Sequence, residues 1–188
     1  SLIQQRNVWM AVLPHPIANR LAKLALQNTS RSIILKNFDE SLDERLLKSF
    51  SRRLGYLTDC KEALLIIDGW LSEEGLINKL HNRDRNELAW TLIVNIAPIA
   101  AVQVLNHIEK LVGKNDNVEF LTRKNKQYID ITRLLRSLAY DSKHFDQCLD
   151  SLCQFAISEK KGENNNSIRE TVKSLFQLYL SGTHASKE

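Results

Sequence analysis

Residues 88–113 read LAWTLIVNIAPIAAVQVLNHIEKLVG, and two helices are written into them. Leu88, Leu92, Ile93 and Ile96 recur at spacings of three and four, the interval that puts side chains on one face of an α-helix. Pro98 ends that pattern because it lacks an amide hydrogen and crowds the preceding turn, yet its fixed φ suits the start of a following helix. Val102, Leu105, Ile108 and Leu111 then carry the same period, and Gly113 closes the run as helix-ending glycines do. Asn82 or Asp84 is the expected opening of the first of the two helices.

The same periodicity extends in both directions. Toward the N-terminus, Asp59 with Glu62 has the spacing of a capping box ahead of Ala63, Leu64, Ile66, Ile67 and Trp70, a combination that opens helices. Leu46, Leu47, Phe50 and Leu54 form an earlier stripe from Asp43 to about Gly55. Pro14-His15-Pro16 punctuates the chain before a helix from Ile17 to Leu26, whose inward face is expected to be Ile17, Leu21, Leu24 and Ala25. The run Ile33, Ile34, Leu35 and Phe38 fits one strand or one helical turn, and any strand belongs in the first forty or so residues.

Toward the C-terminus, Ile129, Ile131, Leu134, Leu135 and Leu138 mark a helix after the polar segment Lys114 to Lys126. Ser142 is the expected cap of the next, with Phe145, Cys148, Leu149, Leu152, Phe155 and Ala156 inward. Glu159 to Asn166 reads as a loop, and Ser167 with Glu170 as a capping box for a last helix carrying Val172, Leu175, Phe176 and Tyr179 and stopping at Gly182. In that box Ser167 accepts from the Glu170 amide while Glu170 reaches back.

One internal repeat stands out. Leu92, Ile93, Ile96 and Ala97 match Leu134, Leu135, Leu138 and Ala139 at an offset of 42, and Val104, Leu105, Ile108 and Leu111 match Cys148, Leu149, Leu152 and Phe155 at 44. Helix pairs at that spacing characterise HEAT-like arrays. The expected fold is therefore all-α, antiparallel helix pairs forming a HEAT-like right-handed solenoid or a helical bundle. Residues 1–40 are read as a connector at the end of an upstream module and 41–188 as a helical repeat domain. The opening Ser1 to Arg6 lacks a Met and begins in mid-pattern, so the chain is read as a piece of a larger protein.

Composition narrows the function. Only 6 Gly and 3 Pro leave little turn chemistry for a many-stranded fold. Cys60, Cys148 and Cys153 form neither a disulfide framework nor a zinc pattern, so a reducing, cytoplasmic setting is expected, and Cys148 and Cys153, within or beside an apolar stripe, are read as buried structural thiols. The longest apolar run, Leu92 to Val102, is interrupted by Asn95 and Pro98 and falls short of the roughly 20 residues of a membrane span. No phosphate-cradling GxxxxGK[ST] or GxGxxG occurs, and no cofactor is expected. His15, His81, His107, His144 and His184 build no metal face, and Glu73-Glu74 and Asp146 with Asp150 read as solvated surface. No catalytic residue and no metal ligand is assigned.

What remains is surface. Net charge is +4, from 26 basic and 22 acidic residues. Arg52-Arg53, Arg83 with Arg85, Arg123-Lys124 with Lys126, and Lys160-Lys161 are the basic clusters. They would follow a phosphate backbone if the fold aligned them, but few aromatics lie between them to stack bases. Arg83, Arg85, Asn164, Asn165 and Asn166 are the candidate partner-binding residues, the asparagines because polar side chains held between rigid helices are common contact elements. A protein partner is expected first, and a nucleic acid is the runner-up.

Leu134-Leu135-Arg136-Ser137-Leu138-Ala139-Tyr140, Asn164 to Glu170 and Lys173 to His184 together resemble the helical region of bacterial STAND-type P-loop NTPases. So do Leu13-Pro14-His15-Pro16-Ile17-Ala18, Arg53-Leu54-Gly55-Tyr56-Leu57 and Ala97-Pro98. The resemblance covers most of the chain in the same order. It implies a parent protein, often in antiviral defence, whose helical region senses a trigger and whose nucleotide-binding module lies elsewhere. It also implies that this chain is a connector and early solenoid, contacting other domains of its own parent. The Walker motifs of that family have no matching positions here.

Overall fold

A computed structural model describes residues 3–6, 9–12, 15–38, 43–113, 118–160 and 168–176, the two strands by their backbone alone. Strands β1 (Ile3–Arg6) and β2 (Trp9–Val12) pair antiparallel, with Ile3 opposite Val12 and Arg6 opposite Trp9. The rest of the described chain is helical, as the apolar spacing predicts: α1 (His15–Gln27), α2 (Arg31–Asn37), α3 (Glu44–Leu54), α4 (Lys61–Leu71), α5 (Leu76–Asn82), α6 (Asn86–Ile96), α7 (Ala101–Val112), α8 (Tyr128–Leu138), α9 (Phe145–Ser158) and α10 (Ile168–Leu175). No described helix is long and apolar enough to cross a membrane. Two compact units part between Ala100 and Ala101. The segment expected to be a connector therefore contributes α1 and α2 to the first unit, where both lie against α4.

The first unit is organised around the packing of α3 on α6. Leu47, Ser51 and Leu54 of α3 are buried, as are Leu88, Ala89, Trp90, Leu92, Ile93 and Ile96 of α6. The approach is close enough to explain Gly55. A Cβ there would stand 2.0 Å from the Asn95 carbonyl oxygen, so any side chain would collide with backbone. The expectation that Gly55 ends its helix holds, but its φ of −59° is right-handed; close approach, and not a left-handed cap, is what requires glycine. Across the same contact the Asn95 side-chain amide donates to the fully buried Ser51 hydroxyl at 2.8 Å.

Helix starts follow local geometry more than residue-type preference. Asp43 caps α3, its carboxylate accepting from the amides of Arg45 and Leu46 at 2.7 and 3.3 Å. The expected Asp59 box does not form: Cys60 is the N-cap of α4, no side chain caps it, and the Cys60 thiol donates to Glu62 Oε2 at 3.3 Å. Asn82 and Asp84 do not open α6 either. Asn82 is the last residue of α5, a helix the sequence reading missed, and Asp84 makes the turn at φ 56°. The short α5 was hidden because Leu76, Ile77 and Leu80 span barely one period. The run 33–35 resolves as helix, since it lies within α2.

In the second unit α9 is the hub, packed by α7, α8 and α10. Phe155 is wholly buried, with the Tyr128 ring edge-on at 5.4 Å and the Phe120 ring at 5.8 Å. Phe120 belongs to a 3-10 turn, Val118–Leu121, inside the segment read as merely polar. Ser142 does not cap α9; His144 occupies that position without a side-chain bond, and Asp141 instead accepts from the Lys143 amide at 3.0 Å. Ser167 and Gly182 lie outside the described residues, as does the capping box, but α10 ends at Leu175, short of the stop expected at Gly182. Helix starts reproduce the repeat offsets, Asn86 to Tyr128 and Ala101 to Phe145, and Ala97 and Ala139 are both buried.

Candidate functional site

Arg83 and Arg85 flank the turn between α5 and α6. Arg83 is the exposed C-cap residue of α5, and Arg85 is the N-cap of α6, its Nη2 3.7 Å from Glu44 Oε2. Glu44 also pairs with Lys48 of α3, and that bond, with the neighbouring charges, holds its carboxyl below the usual range. Asn164, Asn165 and Asn166 lie outside the described residues. In the second unit, Lys124 pairs with Glu119 at 2.8 Å. Arg123 lies 3.6 Å from Glu159 and packs its guanidinium over the Tyr128 ring at 5.0 Å. Several of the cations that suggested a phosphate track are thus already engaged by carboxylates, which lowers their attraction for a polyanion.

Glu159, read as the start of a loop, is the most buried carboxylate in these pairs: its side chain is 5% exposed, with Arg123 and Arg169 on either side and the Ile168 amide donating to it at 3.4 Å. It ties the end of α9 to the start of α10. Cys148 is fully buried and its thiol pushed up to about 12 by burial; burial likewise raises Cys60. A thiol held protonated is a poor nucleophile; Cys148 is buried as expected, whereas Cys153, also expected to be buried, is only half-buried. Among the described residues no group of three or more His, Cys, Asp or Glu is placed to hold a metal ion.

Two features were not legible in the sequence. One is the outward face of α1. Ile17, Leu21 and Leu24, expected to point inward, are 39%, 50% and 46% exposed. The helix instead turns Ala18 and Leu26, with half-buried Ala22 between them, to the interior. In this orientation α1 lies against α4, and the Arg53 guanidinium bonding Asn19 holds its rotation. Ile33 of α2 is also outward, at 53%.

The other feature is a cleft of about 150 Å³ where the ends of α2 and α4 meet the start of α5. Leu35, Phe38, Trp70 and Leu76 give it an apolar wall, and Glu74 and Lys79 are exposed at its edge. Trp70 is 1% exposed, and its indole N–H has no acceptor among the described residues. Phe50 meets its ring edge to face at 5.7 Å and in turn stacks on Phe38 at 3.8 Å. The turn beneath is tight: a Cβ on Gly75 would fall 2.4 Å from the Trp70 carbonyl oxygen. No family model, curated protein or solved structure matches this chain.

Proposed function

We propose that this chain is a non-catalytic helical scaffold and sensor segment of a cytoplasmic, multidomain signalling protein of the STAND NTPase kind, and that it works by presenting a protein-docking surface. The observation that carries the reading is the outward stripe Ile17, Leu21 and Leu24 on α1. Single exposed apolar side chains are ordinary, whereas a row of them along one helix leaves apolar area whose burial by a partner is favourable by roughly 25 cal/mol per Å². The helical fold and the resemblance of its segments to STAND helical regions add support; in the basic clusters Arg85, Arg123 and Lys124 are already paired with carboxylates, which weakens the nucleic-acid alternative.

The test is site-specific photocrosslinking in cells, with a benzophenone amino acid at Leu21 and, as a control, at exposed Glu87 of α6. A discrete protein adduct from position 21 and none from 87 is the expected result. Absence of any adduct at 21, or equal adducts at both positions, overturns the reading. The chain by itself is also expected to show no micromolar ATP binding by calorimetry, because it carries no phosphate cradle.

A further inference from the structure

We infer that the docking surface on α1 takes an acidic protein partner, an apolar groove edged by Asp and Glu side chains, with Ile17, Leu21 and Leu24 as the anchors and Arg20 and Lys23 as the cations that meet its rim. The inference rests on the reading of α1 as a docking face and adds the partner's chemistry to it. Charge is the first observation. Residues 1–38 hold Arg6, Arg20, Lys23, Arg31 and Lys36 and not one Asp or Glu, while the remaining 21 of the 26 basic residues share the rest of the chain with all 22 acidic ones. The whole net charge of +4 therefore originates in this opening stretch, and a surface of one sign steers and selects a partner of the other.

Helix stability does not account for these cations. Arg20 and Lys23 lie in the middle of α1, away from the last turn where a basic residue would favour the helix dipole, and the first turns of α1 and α2 lack the acidic residue that would favour it there. Nor does either side chain meet a carboxylate among the described residues, unlike Arg85, Arg123 and Lys124. Geometry is the second observation. Ile17, Leu21 and Leu24, all exposed, stand at i, i+4 and i+7, the anchor spacing of a helix that lies in an apolar groove. Arg20 is exposed and Lys23 half-buried, and at about 100° per residue both fall on the same flank of that stripe; the other flank turns through Ala18 to the interior. A groove laid on α1 therefore meets apolar side chains along its floor and positive charge along one edge. A bilayer fits less well, since α1 offers it three exposed branched aliphatic side chains and no aromatic anchor.

The test keeps the benzophenone at Leu21 of the whole chain in cells and reads two things: the segment it captures, sequenced by mass spectrometry, and the response of adduct yield to charge. The captured segment is expected to carry net negative charge beside apolar residues. R20E/K23E should cut the yield roughly tenfold, because rim attractions become repulsions. K110E/K143E, the same charge change at exposed positions of the second unit, should leave it within about twofold of the wild type. A neutral or basic captured segment, or equal yields in the two double variants, overturns the acidic partner and leaves α1 a docking face, whereas no adduct at all overturns both readings. The purified chain is expected not to float with vesicles of phosphatidylserine and phosphatidylcholine; flotation that R20E/K23E abolishes would assign the cations to a bilayer and overturn the inference. Should R20E/K23E fail to fold, R20Q/K23Q takes its place, with a fall in yield of about threefold expected and an unchanged yield overturning the inference.

Discussion

Helices α1 and α6 carry the same signal in sequence and opposite fates in structure. In α6, Leu92, Ile93 and Ile96 are completely buried and Leu88 and Trp90 nearly so; in α1, Ile17, Leu21 and Leu24 stand 39% to 50% exposed. The difference lies in neighbours. α6 packs on both α3 and α5, whereas α1 meets only α4 and the β2 strand in comparable measure. Apolar periodicity reveals that a helix has a face, but cover depends on what the rest of the chain brings to it.

The sharpest way to break this comparison is to truncate one residue on each helix. Ile93→Ala should cost about 2–5 kcal/mol, because it opens a cavity at a completely buried position that cannot collapse freely. Leu21→Ala should cost under about 1 kcal/mol, since its side chain is half in solvent already. Guanidinium denaturation of both variants checks this, and equal losses would mean that α1 is packed far more tightly than its exposure says.

Gly55→Ala probes the contact that makes α6 central. The new methyl would meet backbone, the Asn95 carbonyl at 2.0 Å, so α3 and α6 must move apart, at a cost of about 1–3 kcal/mol. Gly69→Ala is its counterpart at α2. There the nearest atom is the end of the flexible Arg31 side chain, and the helix propensity gained in α4 offsets the crowding, so the change should stay within about 1 kcal/mol of neutral. A thermal melt in which the two glycines prove interchangeable would remove the argument for close α3–α6 approach.

These contrasts also mark how much was legible beforehand. The stripes of α3, α4 and α6 to α9, the break at Pro98, and the helix starts at offsets of 42 and 44 follow from side-chain period, which is local physics. Which face of α1 turns inward was not legible, because the larger apolar set, Ile17, Leu21 and Leu24, outweighs Ala18 and Ala22 in any reading by hydrophobicity. The caps misread at Asp59 and Ser142 show that a capping residue type works only where the backbone enters at the right angle, as it does at Asp43. The cleft was invisible because Leu35, Phe38, Trp70 and Lys79 come from three helices and the turns beside them, and Trp70 could be read only as core.

Asp43→Ala isolates that difference between a cap that forms and one that does not. It removes the carboxylate bonded to the Arg45 and Leu46 amides and should lower stability by about 1 kcal/mol, whereas Asp59→Ala should change it by less than about 0.5 kcal/mol. Equal effects in urea titrations would return Asp59 to a capping role.

The smallest expected effect is a pH dependence set by His81 in α5, which sharpens the comparison by testing what the contact of α5 with α6 does to a titratable group. Burial is the main influence on its ring and lowers its affinity for a proton, while the bond between Nδ1 and the neutral Asn86 side chain at 2.6 Å partly opposes this. The folded pKa therefore lies below the ordinary value of about 6.5. Between the two pKa values the unfolded chain holds more protons than the folded one, so stability rises with pH across that window. The contribution is complete above about pH 6.5 and is lost as pH falls through the folded value. Glu44, held below its usual carboxylate range by Lys48, titrates in a separate and more acidic window. Denaturation midpoints should thus decline from about pH 7 to about pH 5.5 in the wild type, and His81→Gln, which has no charge to gain, should flatten that decline. A decline of the same slope in both proteins would place the titration elsewhere and show that α6 does not cover His81 enough to keep a proton off it.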